Sequence, residues 1–181
     1  MALPSTIQKF RVDLSDVDRD VYEVIDLRTA RHPSETEVYL VTRIIAYLLH
    51  YEDGATMSKA GLADPDTPPV LARDLTGQMT HWIDLGLPAA SRLHKAAKSA
   101  DHVFVYCHKD PSVHLTTLAR AQIHRAEDIE FYALPSGFLE EIAQHLTRNN
   151  SWSVVRTEDE LFITIGSETM QGSISRHPIV S

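Results

Sequence analysis

Residues 7–14, IQKFRVDL, set Phe10, Val12 and Leu14 against Lys9, Arg11 and Asp13, the two-residue period of a half-buried strand. After an acidic turn at 15–20, VYEVIDLR at 21–28 reads as its antiparallel partner, so the chain opens on a hairpin. The period then changes. In RHPSETEVYLVTRIIAYLLHYEDG, Val38, Val41, Ile45 and Leu48 recur at helical spacing. Ser34 and Glu37 fit a capping box with Pro33 before it, and the Gly54 region ends the helix.

LADPDTPP, at 62–69, is dense in breakers and reads as a loop. Two strands follow, near 70–75 and 79–86, around the turn TGQ. A helix is expected at about 89–100, its apolar face built from Leu93, Ala96, Ala97 and Ala100. HVFVYC reads as a central strand, 112–125 as a helix, EFYAL as a strand and SGFLEEIAQHL as a helix. Alternation from 79 to 145 favours parallel crossover units. WSVVRT and LFITIG make a closing hairpin around Glu158 and Asp159, and from about 167 no period is visible. The expected fold is therefore mixed α/β: one domain over 1–181, a central mixed sheet flanked by helices, hairpins at both ends and an irregular tail.

Composition narrows the setting. With 181 residues, 43% of them hydrophobic, the chain is long enough for one sizeable core and short for two. No apolar run suits a membrane span, and MALPSTIQKF lacks the apolar centre of a secretion signal, so a cytoplasmic location without membrane partners is expected. Cys107 has no second cysteine and lies in an apolar strand pattern, which reads as a buried structural thiol. A net charge of −8 argues against binding nucleic acid through bulk charge. Basic residues nevertheless gather at 28–43 and 73–98, around the candidate chemistry. The sequence names no protein partner.

That chemistry rests on acids. Glu35 or Glu37 stands at the start of the first helix, Asp74 ends a strand in LARDL, and Asp84 ends another in HWIDLG. Carboxylates from neighbouring elements hold Mg²⁺ while leaving positions for water and phosphate, and a nearby cation steadies the charge that develops on phosphate. Each acid also has a structural use. Glu37 completes the capping box, Glu35 meets the positive end of the helix, Asp74 enters the TGQ turn, and Asp84 is a strand-end carboxylate. Arg92 borders the buried stripe of its helix, and Lys95 points more nearly away from it. Pro65-Asp66 sits in a loop without strand periodicity and reads as a decoy. The histidines show no metal-ligand spacing. A tight TGQ turn would also set Asp84 about four residues beyond the position facing Asp74, on the order of 13 Å away unless a bulge or twist intervenes.

At ARHPSETE, ARDLTG and WIDLGLPAASRLHKAA the chain resembles the YaeQ family of small bacterial proteins, and the resemblance runs its whole length. It implies a variant of the PD-(D/E)xK restriction-endonuclease-like fold with an acidic metal site. Carried onto this sequence, the first-helix acid is Glu35, with Glu37 second, and the strand acids are Asp74 and Asp84. Arg73 stands where the motif has proline, and Gly86 where it has lysine. Arg92 or Lys95 then supplies the basic group from the next helix. The function so implied is hydrolysis of a nucleic-acid phosphodiester with Mg²⁺ or Mn²⁺, Asp74, Asp84 and Glu35 holding the metal. The rival is an inactive nuclease-fold protein that binds or regulates, which Gly86 and the −8 charge favour.

Overall fold

The opening hairpin forms and is longer than its apolar pattern predicts. In the computed structural model, which describes residues 3–51, 54–58 and 64–179, β1 (Thr6–Asp16) runs antiparallel to β2 (Val21–Arg31). Its inward residues Phe10, Val12 and Leu14 are buried. The closing hairpin, β8 (Asn149–Thr157) with β9 (Glu160–Ile165), joins β1 in parallel through β8, with Val12 beside Trp152 and Leu14 beside Val154. The expected single central sheet is thus two sheets. The first has the order β10-β9-β8-β1-β2.

The second sheet carries the βα units. It contains β3 (Thr56–Met57), β4 (Val70–Arg73), β5 (Met79–Leu85), β6 (His102–Cys107) and β7 (Glu130–Ala133), edged by β11 (Ser175–His177). β5, β6 and β7 are parallel neighbours, as the alternation of elements requires. One buried cluster fills the space among the first sheet, α1 (Glu37–Leu49), α4 (Ser136–Gln144) and one face of the second sheet. The other lies beneath α2 (Ala90–Ser99) and α3 (Ser112–Ala119). Strand alternation divides β5 between them: Ile83 joins the first cluster and Trp82 the second. Asp84 therefore faces α2. None of the described helices is long and apolar enough to cross a membrane.

Three local expectations change. The cap of α1 is Thr36, whose hydroxyl accepts from the Tyr39 N–H at 3.1 Å, while Ser34 Oγ is held 2.6 Å from His32 Nδ1. The Ser34–Glu37 capping box does not form. α3 stops at Ala119 rather than 125: Arg125 turns into left-handed backbone and donates to the carbonyls of Ala97 and Ala100. The tail from 167 is also ordered into β10 (Glu168–Ser173) and β11, paired with β9 and β7. Gly172 explains the docking of β10, since a Cβ there would lie 2.5 Å from Phe138 Cγ on α4. Residues 62 and 63 of the breaker-rich loop, and 52–53 before Gly54, lie outside the described residues.

Candidate charged site at the end of β5

Asp84 is the penultimate residue of β5 and is buried. Arg92, in the first turn of α2, meets it as a fork: Nε donates to Oδ2 at 2.7 Å and Nη2 to Oδ1 at 2.8 Å. Trp82, two residues back on the same face, donates its Nε1–H to Oδ2 at 3.0 Å. The Arg92 guanidinium carbon also lies 5.3 Å from the centre of that indole ring, within cation–π range. Hydrogen bonds to Asp84 hold the Arg92 pKa above its ordinary value against the opposing pull of burial.

Glu35 is buried just before α1. Arg43, two turns along the helix, places Nη2 2.9 Å from Oε1 and donates to Oε2 at 3.0 Å, while the His32 N–H adds a bond to Oε2 at 3.2 Å. Arg43 also donates to the Ala30 carbonyl at 3.0 Å, tying α1 back to β2. Burial pushes the Glu35 carboxyl above its ordinary pKa, although Arg43 pulls it down. Tyr39 feels the charges of both pairs, and desolvation raises its phenol to about 12, so it remains a neutral hydroxyl. The Glu35–Arg43 and Asp84–Arg92 pairs are thus both near enough for their charges to act on Tyr39. Glu37 stays outside, paired with Arg31 at 3.3 Å.

Asp74 does not join them. Its Oδ1 accepts from the Thr76 N–H at 2.8 Å, the Thr76 hydroxyl at 2.6 Å and the Gln78 N–H at 3.0 Å, forming an acid-capped turn. The Thr76 hydroxyl is the main cause of its lowered pKa. The register pairs Val70 with Ile83, which puts Asp84 opposite position 69, at the other end of the hairpin. Five strand positions separate 69 from 74, on the order of 16 Å at about 3.3 Å each. The irregularity at Ala72/Arg73 lies near the turn and does not shorten that span. No single metal bridges Asp74 and Asp84, since metal–oxygen bonds are only about 2.0–2.6 Å long.

The dipeptide Pro65-Asp66, which reads as a decoy in the sequence, stands at the same end of the hairpin as Asp84. Arg92 Nη1 donates to the Pro65 carbonyl at 2.7 Å, and Lys95 Nζ forms an ion pair with Asp66. Register carries the signal: an acid near Asp84 must lie before β4, since Asp84 stands opposite position 69. Gly86 also has a local reason. Its backbone turns with φ +82° as its N–H bonds the Tyr106 carbonyl at 2.9 Å, a conformation that strains a lysine.

These donors do not fit Mg²⁺. Asp84 is taken by Arg92 and Trp82, Glu35 by Arg43 and Asp66 by Lys95, while Asp64 accepts from the Thr67 hydroxyl and the Asp66 N–H. Among the described residues no three His, Cys, Asp or Glu side chains are grouped to hold an ion. A divalent cation would have to compete with a guanidinium at Asp84 and Glu35 and with an ammonium at Asp66.

The model of the family described as YaeQ protein matches residues 1–174. The chain is 30% identical over 141 residues to the Uncharacterized protein YaeQ of Salmonella typhi, covering 78% of this chain and 75% of that one. It is 35% identical over 106 residues to the Uncharacterized protein YaeQ of Escherichia coli (strain K12). That match spans 59% of this chain and 58% of the Escherichia coli protein's length. Among solved structures, the YaeQ protein from Pseudomonas syringae superposes with a TM-score of 0.87 at 29% identity, covering 97% of each chain. The YaeQ protein from Xanthomonas axonopodis pv. citri superposes at 0.86 and 25% identity, covering 96% of this chain and 98% of that one.

Proposed function

Because the chain belongs to the YaeQ family, we propose that it is a binding or regulatory protein for nucleic acid on a PD-(D/E)xK-like scaffold, and not a hydrolase. One observation carries this reading: the Asp84 carboxylate is closed by the Arg92 fork and the Trp82 indole. Metal-dependent phosphodiester hydrolysis needs carboxylate oxygens that face a metal with open positions for water and phosphate. Here each oxygen of Asp84 faces a donor of this chain. A cytoplasmic setting belongs to the same proposal, supported by the single buried Cys107.

A second reading, Mg²⁺- or Mn²⁺-dependent hydrolysis, keeps one observation in its favour. Pro65-Asp66, Asp84, Arg92 and Lys95 share one hairpin end, the end that Asp74 does not reach. One experiment separates the two. Mg²⁺ and Mn²⁺ are titrated calorimetrically into the protein and into Asp84→Ala, and both are assayed on single-stranded, duplex and branched DNA. The binding reading expects no saturable heat and no cleavage from either. Cleavage that disappears in Asp84→Ala overturns it in favour of the hydrolase.

A further inference from the structure

On the solvent face of the first sheet, away from the charged site, lies an open concavity of about 810 Å³ across β2, β1 and β8. Strand register arranges its side chains in two rows. Arg28, Lys9 and Asn149 form one; Asp26, Arg11 and Ser151 form the next. The second row is neutral within itself, because Arg11 Nη1 lies 3.2 Å from both oxygens of Asp26. The first row is not. Lys9 and Arg28 are directly opposed in an antiparallel pair, and among the described residues neither side chain makes a hydrogen bond or ion pair. Like charges so placed destabilise a sheet. In a chain of net charge −8, acids to neutralise them are abundant, yet none stands in that row, and Asp26 in the next is taken by Arg11.

The same face continues toward the turn end, where Ser15 lies between Tyr22 and Val155, and Phe162 lies opposite Val155. Tyr22 is 56% exposed and Phe162 partly so. Six steps along β1 separate Lys9 from Ser15, on the order of 20 Å. We infer that this face binds single-stranded nucleic acid, with phosphates seated on Lys9 and Arg28 and bases stacked on Tyr22 and Phe162. Charge complementarity selects a polyanion. The two rings select a strand whose bases are free, since a duplex hides the base faces that would stack on them. Asp13, between the two ends of the face, repels phosphate and so fixes which end takes the backbone.

This inference rests on the nucleic-acid reading above and names its surface. Its test is fluorescence anisotropy of a fluorescein-labelled single-stranded oligonucleotide with the full chain, across a salt series. The wild type is expected to bind at low salt, and Lys9→Glu with Arg28→Glu to weaken binding about tenfold or more. The log–log salt slope should lose about 1.4, at about 0.7 per phosphate contact. Tyr22→Ala and Phe162→Ala should weaken binding without changing the slope, because stacking releases no counterions. Lys9→Gln with Arg28→Gln, which relieves repulsion and preserves the fold, should show the same loss of slope. Absence of wild-type binding at low salt overturns the inference, as does an unchanged slope in both double variants or equal affinity for duplex. An unchanged slope leaves the binding reading of the chain intact. Metal-dependent cleavage would overturn that reading without touching the groove.

Discussion

The end of β5 and the solvent face of the first sheet treat charge in opposite ways. Around Tyr39, each buried acid has its own cation: Glu35 has Arg43, and Asp84 has Arg92. Across β1 and β2, two exposed cations face each other without an acid. The difference follows from solvent. A buried charge left unpaired loses its hydration with nothing to replace it, so the fold itself demands the partner. An exposed cation is under no such demand, and an unneutralised pair of them is a small defect that stability alone does not explain. Completed ion pairs are therefore weak pointers to chemistry in this chain, and the uncompleted row is the stronger one.

The sharpest way to break the comparison is to remove one cation from the interior. Arg43→Ala would strand Glu35 in a site where both side chains are only 3% exposed. It is expected to cost about 3–5 kcal/mol, the range for breaking a buried pair, read as a lower urea midpoint with unchanged slope. No loss would mean the pair is not structural. Arg92→Ala should cost less, about 1.5–3 kcal/mol for charged hydrogen bonds, because its side chain is 26% exposed and water can reach the vacated space. If Arg92→Ala cost more than Arg43→Ala, burial would not be what ranks these pairs.

Much of this was legible in the sequence, and the failures have physical causes. Two-residue alternation located β1, β2, β8 and β9, and helical spacing located α1, because their inward residues are large and apolar. β10 offers one large apolar inward residue, Met170, and a glycine whose value lies in the ring of Phe138 above it. A period needs repeated side chains to be seen, so that strand was invisible. The charged cluster at the end of β5 was half visible. Glu35, Asp84 and Arg92 were named from the chain. Asp74 resembles a companion of Asp84 because strand-end acids look alike until register says which end they occupy. Asp66 shows the converse: loops carry no period, so their destination is unreadable. The Ser34 cap goes unused because the helix starts at Glu37, two residues after the capping box requires, and Thr36 caps it while Ser34 bonds His32.

A pH series sharpens the interior half of the comparison with a smaller effect. Burial raises the Glu35 pKa in the folded state, so the folded protein holds that proton more tightly than the unfolded chain. Its contribution is then fully present below the usual glutamate value of 4.5 and is lost as pH rises through the higher folded pKa. Subtracting the stability of Glu35→Gln from that of the wild type at each pH cancels the other carboxylates. The difference should fall with rising pH just above 4.5 and then level off. A difference that rises instead would mean that Arg43 outweighs desolvation, and that the pair stabilises as a charge pair.

The smallest expected change has the opposite sign and tests the exposed half. Lys9→Gln leaves Arg28 without a like charge across the strand pair. Stability should rise by a few tenths of a kcal/mol, the low end of cross-strand pair energies. The gain should shrink as salt screens the wild-type repulsion, since both side chains are exposed. The same substitution should weaken oligonucleotide binding. A gain in stability coupled to a loss of binding is what a functional like-charge pair requires. Lys9→Gln that leaves both unchanged would reduce the row to ordinary surface charge, and the contrast between the two regions would then end at the difference between buried and exposed.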